Sequence, residues 1–219
     1  MNNNNREAFL ESTELCDFDL KPRIREKALE IAQNCSDKQE EFESIFLFVR
    51  ELPYGLDDWD VPASQVFNQG WGMCSGKTNL LVAMLRSLGI PARYRVYRIK
   101  AESSLWSQVS NNETISKEMG SAPAQQDHID CEVWLERWIA CDPSRDTLME
   151  KGIKALGIPL EREPIRNEAG NVDYLILANF DDWARERQAA RKFRENRKEI
   201  FRWVNNQLWR IRKLAQDNG

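Results

Sequence analysis

The sequence predicts an α+β fold, and three observations predict it. A glycine-rich turn, Gln69-Gly70-Trp71-Gly72-Met73, runs into Cys74 and an apolar helical stretch that closes at Leu88-Gly89. Two later stretches alternate apolar and polar residues as half-buried strands do, and the second folds on itself near Glu136 as an antiparallel hairpin. From Asp182 onward, Phe193, Ile200, Phe201, Val204, Leu208 and Ile211 recur at helical spacing. The elements expected are a cysteine-headed helix, antiparallel strands, helices before them and a long helix after.

Composition bounds what this can be. The chain has 219 residues, 42% apolar and 30% charged, with a formal net charge of −4, so no global electrostatic partner is implied. No run approaches the ~18 apolar residues that a membrane span requires. Residues 1–6 lack the basic-then-apolar layout of a signal peptide and read as a frayed tail. The five cysteines are odd in number and irregularly spaced, which suits reduced thiols in a cytoplasmic protein. One core is expected over residues 1–180, its motif-bearing part at about 40–146 and a polar insertion at 101–126. Residues 181–219 are expected to form a basic amphipathic extension.

Each element has its own local reason. Pro22 sits well in the first turn of a helix, and Ile24, Ala28 and Ile31 then give it an apolar stripe over 22–34. A second helix starts near Ser36 or Asp37, buries Phe42, Ile45, Phe46 and Val49, and stops near Leu52 because Pro53 disfavours helix before it. Residues 53–73 read as an ordered loop in which Trp59 is a packing residue. In the Cys74 helix, Leu81, Met84, Leu85 and Leu88 form a stripe, Gly89 is the C-terminal cap and Pro91 follows. A strand spans 92–100. Residues 101–126 show no period, and a loop of that length is often a lid, with Trp106 as its one anchor. Strands follow at 127–135 and 138–143, and one more is expected at 172–178.

The chemistry centres on Cys74. A helix N-terminus carries partial positive charge and unpaired N–H groups, which favour a thiolate and can hold an oxyanion. Gly76-Lys77-Thr78 imitates the end of a phosphate-binding loop, but that pattern needs glycine where Trp71 stands, so nucleotide binding is rejected. His128 is the protein's single histidine. Folding the hairpin near residue 136 brings Asp142 directly or diagonally opposite it, within ~5–8 Å. A thiol nucleophile needs an imidazole and a group to orient that imidazole. Cys74, His128 and Asp142 supply such a set.

Gly72-x-Cys74, the run Leu80-Leu81-x-x-Met84-Leu85-Arg86-Ser87-Leu88-Gly89-Ile90-Pro91-Ala92-Arg93, His128 with Trp134, and Trp138-x-x-x-Asp142-Pro143 together resemble the transglutaminase-like superfamily. The resemblance implies a papain/transglutaminase-like core, with Cys74 as nucleophile, His128 as general base and acid, and Asp142 as the orienting carboxylate. It also implies an oxyanion donor just before the cysteine, with Gln69 and Trp71 both in reach. Ser75 stands where animal transglutaminases carry an aromatic residue, and their calcium loops have no visible counterpart. No metal and no cofactor is therefore expected, and Asp57, Asp58 and Asp60 read as a solvated loop.

The activity so implied is acyl transfer or hydrolysis at an amide or thioester, through a Cys74 thioester. The substrate would be a peptide, protein or small acyl or amine compound. Between Trp183 and Leu214 there are eleven Lys or Arg against three Asp or Glu, a net of +8. This basic segment is either a solvated face or a docking arm for an acidic partner such as a carrier protein, nucleic acid being unlikely. The reading from a different class is an inactive scaffold of the same fold that docks an acidic partner through that helix.

Overall fold

The computed structural model describes residues 6–100, 105, 125–190 and 197–217. Residues 1–5 of the expected frayed tail at 1–6, and most of the polar insertion, Trp106 included, lie outside the described residues.

The first two helices follow their sequence signals. Helix α1 is Pro22–Ala32 and α2 is Lys38–Glu51. Asp37 caps α2 by accepting from Glu40 N–H at 2.9 Å, and Glu40 reaches back to Ser36 N–H at 2.8 Å. Leu52 turns to extended backbone before Pro53 and ends the helix. The segment expected as loop then contains a short helix, α3, Ala63–Gln69. It has no side-chain N-cap and only seven residues, too few to show a helical period.

Helix α4, Cys74–Ser87, is the centre of the protein. A single apolar stripe was the expectation, yet every residue from Cys74 to Arg86 is buried. Helices α1, α2 and α3 pack on one side of α4 and the sheet on the other. Its polar residues are therefore buried too, and Lys77, Asn79 and Arg86 donate to backbone carbonyls, while the Ser75 hydroxyl is buried without a hydrogen-bond partner among the described residues. Asn79 Nδ2 donates to Val61 O at 2.9 Å. Arg86 donates to the carbonyls of Glu11, Ala92 and Ala178 at 2.6–3.0 Å, which ties together three segments distant in sequence. Gly89, at φ +74°, makes the left-handed cap that releases the chain into the sheet.

Strands β1, Ala92–Lys100, β2, Gln125–Leu135, β3, Arg137–Cys141, and β4, Leu175–Leu177, form one antiparallel sheet of order β3-β2-β1-β4. Strand β2 starts two residues inside the expected insertion, and β4 is shorter than the expected 172–178. Ala92, Tyr94 and Val96 lie opposite Val133, Cys131 and Ile129, and all six are buried. With α4 they make the main core, each large side chain worth roughly 1.5–3 kcal/mol of burial. Trp59 is buried edge-on against Trp183, as a packing residue.

A second, smaller core joins α5, Thr147–Ala155, to α7, Arg197–Asp217. Asp146 caps α5 by accepting from Met149 N–H at 2.9 Å. Met149 and Ile153 of α5 meet Val204, Leu208 and Ile211 of α7, with Leu105 and Ile158 at the edges. Helix α6, Asp181–Ala190, precedes α7, and residues 191–196 between them lie outside the described residues. Among the described residues no helix is long and apolar enough to cross a membrane.

Candidate active site

Cys74 opens α4. Met73 before it is extended, and Lys77 N–H closes the first helical turn on Met73 O at 2.9 Å. The approach to Cys74 is fixed by strand-like bonds, with Gly55 N–H to Gly72 O and Gly72 N–H to Pro53 O, both 3.1 Å. The 53–56 loop is in turn held by α7. Asn205 accepts from Leu56 N–H at 2.7 Å and donates to Leu56 O at 3.1 Å. Arg212 donates to Tyr54 O at 2.8 Å, while Asp146 accepts from Tyr54 N–H at 3.0 Å.

His128 and Asp142 meet at the open end of the β2–β3 hairpin. The register pairs Cys131 with Cys141, so Asp142 lies diagonal to His128, and His128 Nε2 is 2.9 Å from Asp142 Oδ2. That leaves Nδ1 of the ring free of Asp142, and Cys74 is near enough to His128 to be among the groups that raise its pKa. The three residues singled out from sequence are thus brought together.

The charges of His128 and Asp142 reinforce one another. Burial alone would push the His128 pKa down, but the Asp142 carboxylate outweighs it and raises the imidazole to about 9. Burial would raise Asp142, yet His128, Arg162 and the Ser144 N–H hold it well below the usual carboxylate range. Tyr97 packs edge-on to His128 with ring centroids 5.3 Å apart. Tyr97 and Arg95 both donate to the buried Asp130, Arg95 through two nitrogens at 2.7 Å each.

Arg162 is the site residue that sequence reasoning missed. Its Nη1 donates to Asp142 Oδ2 at 2.6 Å and to Ser144 Oγ at 2.6 Å, and lies 3.5 Å from His128 Nε2. It rides on a stretch with no period, held against β1 by Lys100 N–H to Glu163 O and Ile165 N–H to Arg98 O, both 2.9 Å.

The two oxyanion candidates lie in different surroundings. Gln69 donates its amide to Asp57 Oδ2 at 3.1 Å and to Trp71 O at 2.9 Å. Trp71 lines a cavity of about 450 Å³ with Tyr54, Phe201 and Trp209, rimmed by Lys198 and Arg202 of α7. Asp58 is paired with Arg197 at 2.9 Å. Among the described residues, no group of three or more His, Cys, Asp or Glu is arranged to hold a metal ion.

The false phosphate-loop signature has a structural explanation. Lys77 turns inward, buried, and its three ammonium protons go to the carbonyls of Arg50, Leu52 and Ser144 at 2.9, 2.6 and 3.1 Å. Burial pulls its pKa down to about 7, against the opposing charges of Asp146 and Asp142. Thr78 is buried with its hydroxyl toward Ile129 O at 3.5 Å.

The sequence profile of the transglutaminase-like superfamily matches residues 25–143, and the chain belongs to that superfamily. Its members are usually cysteine enzymes. Among solved structures, the fold is similar to one described as a "Putative Cysteine Protease" from Cytophaga hutchinsonii, at 16% identity and TM-score 0.46, covering 82% of this chain and 53% of that one. It is also similar to red sea bream transglutaminase, at 14% identity and TM-score 0.40, covering 86% of this chain and 41% of that one. The chain thus spans about half the length, or less, of these two proteins. No curated protein matches it in sequence.

Proposed function

We propose that this protein is a cysteine acyltransferase or hydrolase that works through a thioester on Cys74. The observation that carries the reading is the His128–Asp142 contact, 2.9 Å on Nε2, with Cys74 at the head of α4 among the groups that raise the imidazole pKa. His128 takes the thiol proton, and the thiolate attacks the carbonyl carbon of an amide or thioester. The oxyanion forms against the N–H groups of the first α4 turn, with Trp71 as a further candidate donor. The imidazolium then protonates the leaving amine or thiol as the tetrahedral intermediate collapses to the acyl-enzyme. Water or an amine, deprotonated by His128, attacks the thioester and frees Cys74.

The test is to incubate the protein with a panel of activated acyl donors and measure intact mass. A single acyl adduct on Cys74, lost in Cys74→Ala and slowed in His128→Ala, supports the reading. Adding amine acceptors then separates amide formation from hydrolysis. A Cys74 that acquires no adduct from any donor, and alkylates like the other four cysteines, sinks it in favour of the scaffold reading.

We further propose that the acyl-bearing partner is acidic and docks at the cavity beside Trp71. Its lining joins aromatic residues to Lys198 and Arg202 of the basic α7, and of the two acidic residues beside them, Asp57 and Asp58, the second is already paired with Arg197. Such docking weakens as salt rises, and an affinity unchanged between low and high salt would remove the idea.

A further inference from the structure

We propose that Arg162 is a positioning residue that competes with His128 for one oxygen of Asp142 and so tempers the basicity of the imidazole. The inference rests on the proposed role of His128 in acyl transfer. Three contacts carry it. Asp142 Oδ2 accepts from both Arg162 Nη1 at 2.6 Å and His128 Nε2 at 2.9 Å. The two donors are themselves 3.5 Å apart. Ser144 fixes the arrangement, its N–H on Asp142 Oδ1 at 2.9 Å and its hydroxyl accepting from Arg162 at 2.6 Å.

The consequence follows from Coulomb's law. An imidazole facing a buried carboxylate alone holds its proton more firmly than one with a cation beside it. A fixed guanidinium beside the ring lets the imidazolium give up that proton more easily. Even at the dielectric of water, a unit charge 3.5 Å away changes the imidazole's acid constant by about five- to tenfold. Burial makes the effect larger.

The other charged or titratable groups facing His128 are few. Cys74 comes from α4, Tyr97 from β1, and Asp130 from β2, where it is neutralised by Arg95. Arg162 is the cation that touches the His128–Asp142 pair directly. Its carrier stretch is bonded to the end of β1, and Arg145 donates to Leu160 O at 2.5 Å just before it. The guanidinium is thus braced from both sides in sequence.

His128 is the single histidine, so its titration can be read directly by NMR on protein labelled at histidine. The Cε1–H shift is followed against pH in the whole protein and in Arg162→Met, Arg162→Gln and Arg162→Lys. Loss of the charge, in Met or in Gln, raises the His128 midpoint by about one pH unit, a tenfold fall in acid constant. Gln keeps a donor for Asp142 and Ser144, so it reads the charge even if Met fails to fold. Lys restores a midpoint within about twofold in acid constant of the wild type. A midpoint that is unchanged or lower in the charge-loss variants overturns the proposal and makes Arg162 a structural tie only. Because this signal requires no reaction at Cys74, a normal His128 titration with an inert Cys74 would instead count against the acyl-transfer reading.

Discussion

Arg212 and Asp146 form an ion pair buried on both sides, 3% and 4% exposed, with the guanidinium Nε 3.0 Å from Asp146 Oδ1. The same two residues close on the backbone of Tyr54 from opposite directions, Arg212 on its carbonyl and Asp146 on its N–H. One ion pair therefore joins α7, the cap of α5 and the loop that leads to Cys74. Replacing Arg212 by Leu leaves the Asp146 charge buried without its main partner, and should cost about 3–5 kcal/mol in urea denaturation. The double change Arg212→Leu, Asp146→Leu should recover part of that loss. If the single variant denatures like wild type, the pair does not brace the loop.

The pH dependence of stability should carry two opposing contributions. His128 has a folded pKa raised from 6.5 to about 9, so the native state holds more protons between those values and stability falls as pH rises through them. Lys77 is lowered from 10.5 to about 7, so the native state holds fewer protons there and stability rises over that window. Across the window from pH 7 to 9 each changes stability by on the order of 2–3 kcal/mol, and there they offset one another. His128→Ala should therefore gain stability across that interval and Lys77→Met should lose it. Denaturation curves at pH 7 and 9 for both variants check the signs, and parallel profiles would refute them.

Helices α5 and α7 approach so closely that only glycine fits at 152. A Cβ there would stand 2.1 Å from the carbonyl oxygen of Ile211 and 2.7 Å from its Cγ2. Gly152→Ala should cost about 3 kcal/mol or more and expose α7 to limited proteolysis. Adding Ile211→Ala removes the side-chain clash but not the carbonyl one, so it should rescue only partly. Full rescue would mean that the backbone contact is unimportant.

Asp142→Asn keeps the shape of the carboxylate that meets His128 and removes its charge. Single-turnover acylation of Cys74 should slow by roughly 10²–10⁴-fold, since the imidazolium loses its counter-charge and the ring its preferred tautomer. An unchanged rate would remove Asp142 from the mechanism.

What could be read from sequence was what local chemistry encodes. The Cys74 helix announced itself through Gly89 and Pro91. The hairpin followed from alternation on either side of Glu136, which takes the left-handed conformation at φ 62°. That fold-back alone brought His128 and Asp142 into one frame. Helix α5 left a legible sign that was not used, an aspartate cap at 146 with Met149 and Ile153 at helical spacing and Gly157 beyond. Arg162, Asn205 and Arg212 left none. Each acts through a contact 20 to 158 residues away along the chain, and such a partner has no period and no neighbouring punctuation. The buried face of α4 opposite its apolar stripe was hidden for a related reason. Lys77, Thr78 and Asn79 look like solvent-facing residues until distant carbonyls are brought to meet them.

The hold of α7 on the 53–56 loop also orders events in time. Synthesis runs from the N-terminus, so the helix headed by Cys74 and the hairpin bearing His128 and Asp142 leave the ribosome before Asn205 and Arg212 exist. Until those two residues emerge, Tyr54 and Leu56 lack the side chains that clasp their backbone, and the segment entering the cysteine is braced from one side only. The nascent chain thus acquires Cys74, His128 and Asp142 first and the clasp on the loop leading to Cys74 last.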